Sequence, residues 1–380
     1  MNLYNDIEML NKKQDEDKKR VLENIKKKDT FSFIDQYDLY PTILVVGGKG
    51  NIGSYIVDYL CSTRRNTRVI VLDNDYNSNE ENLNEAKLLA SSRDNVVIEV
   101  KADIANYYTL YETFRKFEPN FVFHQASMLT QDSEQDRRRA FNTNVKGMFN
   151  ILEACKEFDV KKLVYASSAS VFGNPDYLPV DELHNFNNCK LLYGHTKVCC
   201  EQLAKYYADT IGMKIVGLRY FNVYSERQST KNFYTQIVPK WINAFLEEKN
   251  IEMYGDGKQT IDMIHAKDVA RFNVLAMDSR IHRNYKDLTL AQTFDGFINV
   301  GTGVQTSVKE LYFLLKEILE EFGINTAKSC LYYIEHDPAI VKRRQCDISL
   351  QTKLLGICQI DLRTGMTMTV KSILKKKGVV

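Results

Sequence analysis

From residue 42 the chain sets short, β-branched apolar runs at near-regular intervals: TILVVG at 42–47, RVIVL at 68–72, NVVIEV at 95–100, NFVFH at 120–124, KKLVYA at 161–166 and KIVGLR at 214–219. Apolar residues fill most positions of each run and do not alternate with polar ones. A strand wet on one face alternates with period two, so near-continuous runs mean strands covered on both faces. Stretches of helical length fall between them, at 55–62, 140–158 and 192–211. Strand followed by helix, repeated, predicts a parallel sheet in a doubly wound α/β domain. Beyond residue 219 the rhythm loosens. Helical segments at 235–248, 266–279 and 308–321 are joined by longer polar loops, which predicts a smaller C-terminal substrate-binding lid interleaved with the last strands of the sheet. The start of the chain differs again: within 11–29 (NKKQDEDKKRVLENIKKKD) only Val21, Leu22 and Ile25 are apolar, the pattern of a solvated helix or a disordered arm. The organisation expected is therefore a charged arm over 1–40, a doubly wound domain over 41–222 and a substrate-binding portion over 223–380.

Composition narrows the classes. The chain has 380 residues, 44% apolar and 26% charged, which excludes wholesale disorder. With 51 Lys+Arg against 49 Asp+Glu the net charge is +2. That balance makes no field for collecting nucleic acid or an acidic membrane, so neither is expected as a partner. No stretch approaches 18 apolar residues, and the acidic N-terminus lacks the apolar core of a signal peptide. None of the eight cysteines forms C-x-x-C or a zinc spacing with histidine. Reduced, mostly buried thiols in a cytoplasmic protein without a metal site are the expectation.

Two segments carry chemistry. The first strand runs into Gly47-Gly48-Lys49-Gly50-Asn51-Ile52-Gly53 and then an amphipathic helix. A turn of this kind needs positive φ, lets backbone lie against a pyrophosphate, and aims helix N–H groups at it. Asp73 ends the second strand 20 residues after Gly53, where a carboxylate can accept from a ribose 2′-OH. The neighbours Asn74, Asp75, Asn77, Ser78 and Asn79 include no Arg for a 2′-phosphate. NAD is expected over NADP, in a Rossmann-type domain.

The other segment pairs Ser167-Ser168-Ala169-Ser170-Val171-Phe172-Gly173, at the end of a strand, with Tyr193-Gly194-His195-Thr196-Lys197 at the start of a helix. Tyr193 and Lys197 are i,i+4 neighbours on one helix face. A phenol acts as a base near neutrality only if its pKa of about 10 falls towards 7, a change of about 4 kcal/mol. An ammonium about 4 Å away supplies roughly that at an effective dielectric near 20. His124 is expected to be a hydrogen-bonded structural residue, and His195, on another face, has no role.

With these segments in order, the chain resembles the extended short-chain dehydrogenase/reductases of the nucleotide-sugar epimerase/dehydratase family. The resemblance spans about 42–370 and rests on GGKGNIG, LDN at 72–74, ADI at 102–104, HQAS at 124–127, NVKG at 144–147, the serine motif, YGHTK, RYFNVY at 219–224, YGDGKQT at 254–260 and NVGTG at 299–303. It implies that Gly47, Gly50 and Gly53, with Asn51 and Ile52, hold the NAD pyrophosphate. Asp73 and Asn74 would meet the adenosine ribose, and Asp103 and Ile104 would flank adenine. Tyr193 would be the base, Lys197 would position the nicotinamide ribose, Ser168 would bond the reacting sugar hydroxyl, and Asn222 would face the substrate diphosphate. A homodimer built on the helix holding Tyr193 and Lys197, packed with 140–158, is implied as well.

The resemblance also separates reactions. Dehydratases of this family carry Asp and Glu after the catalytic hydroxyl, whereas this chain has Ala169 and Ser170, which cannot do that acid–base work. Epimerisation of a UDP-hexose at C4 through a bound 4-keto sugar is the expected reaction. A net dehydrogenase of another hydroxylated metabolite, or a non-catalytic NAD-binding regulator, are the alternatives. The lid departs from the family pattern. Where many relatives carry a diphosphate-clamping Arg after YGDGKQT there is Ile261, and Asp337 stands where another Arg is common. The clamp would then have moved to Arg343 and Arg344, or to Arg227, since a guanidinium offers the planar fork that phosphate prefers.

Overall fold

The computed structural model describes residues 41–186, 189–229, 237–284, 294–335 and 341–379; the charged arm and Asp337 lie outside them. The strands in chain order are β1 (Thr42–Val46), β2 (Arg68–Asp73), β3 (Val96–Lys101), β4 (Phe121–His124), β5 (Lys162–Ser168), β6 (Ile215–Tyr220), β7 (Asn222–Tyr224), β8 (Ile251–Tyr254), β9 (Thr260–Ile261), β10 (Met263–His265), β11 (Phe297–Val300), β12 (Thr306–Ser307) and β13 (Leu331–Ile334). Seven of them form one sheet in the order β11-β6-β5-β4-β1-β2-β3, with every pairing parallel. The order reverses between β1 and β4, and in such sheets ligands bind in the crevice outside the carboxyl ends of the strands at that switch.

Helices α1 (Asn51–Thr63), α2 (Asn84–Ser91), α3 (Tyr107–Phe117), α4 (Gly147–Glu157), α5 (Leu192–Tyr206), α6 (Ile237–Leu246), α7 (Ala266–Asp278), α8 (Val308–Glu321) and α9 (Leu362–Lys376) pack around this sheet and in the lid. The reason the strand runs are apolar at every position is visible in β1. Ile43 and Val45 join Tyr55, Ile56 and Leu60 of α1 and Phe272 of α7 in one core. Leu44 and Val46 point the other way, to Phe114 of α3, Ile151 of α4 and Ala204 of α5. Both faces are covered, so neither parity of side chain can be polar.

The lid has its own core, in which Trp241 and Phe245 of α6 meet Leu311 and Leu315 of α8 and Met366 and Val370 of α9. Ser307 and Glu310 start α8 with a reciprocal capping box, which satisfies two backbone donors at once. The expected division at 222/223 falls inside β7, which pairs in parallel with β10.

Two long helices are interrupted. Residues 140–158 contain a π-helical segment, Phe141–Lys146, before α4. There the Asn144 carbonyl accepts from Cys200 Sγ of α5 at 3.2 Å, a bond that period-3.6 reasoning cannot anticipate. Residues 192–211 end in a second π segment, closed by Gly212 at φ +84°. All eight cysteines are free, and four of them (Cys61, Cys155, Cys200 and Cys346) are buried. No helix among the described residues is long and apolar enough to cross a membrane.

Candidate active site

The glycine turn leaves β1 by bonding Gly47 N–H to Leu72 O at 2.7 Å. Gly47 sits at φ +75°, and a Cβ on Gly53 would lie 2.1 Å from Gly47 O. Only glycine permits this folding of turn onto helix. Gly50 precedes α1 without a side-chain cap, and no acidic residue stands in the first turn. The first N–H groups of α1 therefore face outward, towards where an anion would sit. Asn51 accepts from the Ser225 hydroxyl, so its side chain fastens the turn to the loop after β7. Ile52 packs against the core.

Asp73 lies against this turn. One carboxylate oxygen accepts from Lys49 N–H at 3.0 Å; the other accepts from Asp75 N–H at 3.0 Å and the Ser78 hydroxyl at 3.1 Å. A carboxylate has about four acceptor sites, which leaves room for a ribose hydroxyl. Asn74 Nδ2 donates to Asp103 at 3.3 Å, and both line a cavity of about 410 Å³ with Tyr76, Lys101, Asn106 and Arg139. Arg139 stacks 3.6 Å from the Tyr76 ring centroid. Neither residue stood out in the sequence. Ile104 turns its side chain into the core, beneath Gly147, where a Cβ would clash at 2.6 Å. These features fit a dinucleotide: a backbone cradle that a Cβ would fill, outward N–H groups, and a carboxylate with spare acceptor capacity.

Across the sheet, Ser168 ends β5 and its hydroxyl accepts from Ser170 N–H at 3.1 Å, which starts a short 3₁₀ turn over Ala169–Phe172. The N-terminus of α5 rests on that turn: a Cβ on Gly194 would meet Ser170 O at 2.7 Å. Glu134 accepts from Leu192 N–H at 2.6 Å and so caps α5 from outside. Lys197 Nζ donates to Ala166 O at 2.8 Å and stands 5.6 Å from the Tyr193 ring centroid. Ser168, Tyr193 and Lys197 are each less than a tenth exposed. The fold thus gathers all three at the carboxyl end of β5.

Their supports were missed by sequence reasoning. Asn144 donates to Thr196 Oγ1 at 3.0 Å and accepts from Met128 N–H at 2.8 Å, tying α5 to the segment after β4. One turn past Lys197, Glu201 takes a two-pronged bond from Arg219 of β6, both contacts at 2.9 Å, and a bond from the Ser167 hydroxyl at 2.5 Å. Their positions four residues after Lys197 and inside RYFNVY were the available signal. His124 corrects an expectation. It is buried, but its Nδ1 has no hydrogen-bond partner among the described residues. Burial, then the Lys197 charge, pushes its pKa down to about 3, so the ring is neutral. His195 is exposed and, among the described residues, bonds Cys189 O.

On the lid side, Asn222 donates its backbone N–H to Asp262 O, while its buried Oδ1 lacks a partner among the described residues. Arg227, the other candidate clamp, is engaged within the protein. It is held 2.6 Å from Asp58 and 3.1 Å from Glu85, with its guanidinium 4.0 Å from the Tyr55 ring. The loop after β7 folds it back onto α1. Residues 342–344 run beside β9 instead: Arg343 bridges Thr260, and Arg344 N–H donates to Thr260 O at 3.0 Å. This puts both arginines beside Ile261, where the family's arginine is missing. Arg343 is exposed and Arg344 half-buried. Burial raises the Cys189 thiol pKa, with the Arg344 charge opposing it; the Cys189 Sγ donates to Ser170 O at 3.0 Å.

The glycine turn follows β1 and the Ser/Tyr/Lys cluster gathers at the end of β5, both at the carboxyl edge of one parallel sheet. The sequence model of the NAD dependent epimerase/dehydratase family matches residues 43–288. The chain belongs to that family. Among members of this epimerase/dehydratase family, a Methanocaldococcus jannaschii protein described as a putative UDP-glucose 4-epimerase is 34% identical over 86% of this chain and 97% of its own. The solved UDP-N-acetylglucosamine 4-epimerase of Methanobrevibacter ruminantium M1, in complex with UDP-N-acetylmuramic acid, is 28% identical with a TM-score of 0.76, covering 88% of this chain and 99% of its own. The UDP-glucose 4-epimerase of Thermus thermophilus, in complex with NAD, is 26% identical with a TM-score of 0.74, covering 89% of this chain and 100% of its own.

Proposed function

We propose that this chain is an NAD-dependent epimerase of a nucleotide sugar, with C4 epimerisation of a UDP-hexose through a bound 4-keto sugar as the reaction. The observation that carries this reading is the convergence of Ser168, Tyr193 and Lys197 at the end of β5, on the same edge of the sheet as the glycine turn. Relatives that bind UDP-sugars and NAD share the fold along nearly the whole described chain. NAD, held by Gly47, Gly50, Asn51, Ile52, Gly53, Asp73, Asn74, Asp103 and Ile104, would accept and return the C4 hydride. Tyr193 takes the C4 hydroxyl proton and gives it back after the keto sugar presents its other face. Lys197, anchored on Ala166 O, keeps a positive charge beside the phenol and the nicotinamide ribose. Ser168 orients the reacting hydroxyl. Asn222 and Arg344, with Arg343 at the rim, hold the diphosphate. Ala169 and Ser170 supply no acid or base for dehydration.

The same reading divides the chain into a Rossmann domain over 41–222 and a substrate portion over 223–380. It takes the protein to be cytoplasmic, in keeping with eight free cysteines. It also makes the protein a homodimer through α4 and α5, whose outer faces with the preceding π segment expose Phe141, Phe149 and Tyr206. Purified chain given UDP-glucose or UDP-galactose, followed by NMR, should interconvert them without accumulating NADH. Tyr193→Phe should lower turnover more than about a thousandfold while NAD stays bound. Full activity in that variant, or an unchanged panel of nucleotide sugars with wild-type protein, refutes the proposal.

A further inference from the structure

Between the first two glycine positions of the cradle stands Lys49, a residue with no part in the reaction proposed above. Its backbone is fixed twice, the N–H on Asp73 at 3.0 Å and the carbonyl accepting from Asn82 Nδ2 at 2.9 Å. Its side chain, 7% exposed, ends 3.0 Å from Asp75 and 3.0 Å from Glu99, with Glu80 at 4.0 Å. The outer oxygens of those acids are taken in turn: Asp75 by Lys101 at 3.1 Å and Glu99 by Lys87 at 2.5 Å. The result is a chain of ion pairs, Lys87–Glu99–Lys49–Asp75–Lys101, laid along the ends of β2 and β3. Asp75 adopts φ +60°, a left-handed conformation open mainly to Gly, Asn and Asp, and its N–H bonds Asp73. That geometry turns its carboxylate back towards Lys49.

The location matters because a dinucleotide on this turn puts its adenosine ribose against Asp73. A phosphate on the ribose 2′-oxygen would add up to about two negative charges beside that carboxylate. Lys49, on the turn itself and bonded through its N–H to Asp73, is a cation at hand to receive it. It is already neutralised by two acids. We infer that the preference of this chain for NAD over NADP is set by Asp75 and Glu99, which withhold Lys49 from a 2′-phosphate, and not by Asp73 alone. This rests on the reading of the glycine turn as an NAD site and extends it to the residues that choose the coenzyme. Burial opposes the charge on Lys49, yet its bonds to Asp75 and Glu99 outweigh that and raise its pKa, as expected of a cation held by its partners and not free to leave.

The test is competition between the two coenzymes on the full-length chain, measured as the NADP concentration that displaces half of a fixed amount of bound NAD. It needs no sugar and no turnover. Asp75→Asn combined with Glu99→Gln should lower that concentration about tenfold, the size expected when two nearby anions are removed from a partly screened site. Lys49→Met added to that pair should erase the gain, and Lys49→Met alone should change the ratio by about twofold at most. Glu99→Gln alone, at a position 31% exposed in its side chain, should give about a threefold gain, and retained NAD shows that each variant is folded. An unchanged ratio in the double variant with NAD still bound, or a gain that survives Lys49→Met, overturns this inference and leaves the NAD reading standing. Wild-type chain that retains neither coenzyme overturns both.

Discussion

Glu201→Gln should destabilise the protein far more than one surface charge would. In the folded chain Glu201 is 1% exposed and Arg219 2%. Two guanidinium contacts at 2.9 Å and the Ser167 hydroxyl at 2.5 Å converge on that one carboxylate. The rest of the Arg219 cage cannot replace it: rings of Phe172, Phe186 and Phe297 lie 4.6–5.1 Å from the guanidinium carbon, and the Glu182 carbonyl takes one N–H at 2.9 Å. Glutamine is isosteric and keeps one acceptor oxygen, but its amide would face the Nη2 donor. An uncompensated cation then stays buried, which costs about 3–5 kcal/mol. With an m-value of about 3 kcal/mol/M or more, the urea midpoint falls by roughly 1 M. The companion is Glu201→Leu with Arg219→Met, which removes both charges and should recover most of the loss. Urea unfolding followed by circular dichroism reads both. A midpoint shift under about 0.2 M for Glu201→Gln, or a double variant no better than the single, refutes the reasoning. Because Glu201 lies one turn from Lys197, the single variant should also lower turnover even where the protein is still folded.

Two further outcomes follow from the same structure. Gly53→Ala forces a methyl to within 2.1 Å of Gly47 O; it should cost about 2 kcal/mol or more and abolish NAD retention, which a thermal melt and mass spectrometry of the purified protein will show. Burial, opposed by the Asn299 N–H and the Arg219 charge, pushes the Glu182 carboxyl up to about 7 from 4.5. The native state then binds more protons than the unfolded state between about pH 4.5 and 7, so stability falls as pH rises through that window, by up to about 3 kcal/mol. Glu182→Gln should flatten the difference in urea midpoint between about pH 5 and pH 8, and an unchanged slope would discard this assignment.

Much of the molecule could be read before folding. Runs such as TILVV state that both faces of their sheet are covered, because Ile43 and Leu44 must each find a core. The glycine turn and the Tyr193–Lys197 spacing are equally local: one encodes a backbone path, the other a helix face, and each fits within a short stretch of chain. What only the tertiary structure decided is which distant partner the buried charged side chains take. Arg227 and Arg344 look alike in sequence, yet one is bound to Asp58, far earlier in the chain, and the other lies alongside Thr260 of β9. Lys49 reads as a loop residue until β3 brings Glu99 beneath it, and Glu201 gains its meaning only when β6 carries Arg219 alongside. Backbone conformation is governed by nearest neighbours and hydrophobic period, which a linear chain displays. Charge pairing depends on which strands the crossovers set side by side, and that is settled when the sheet closes.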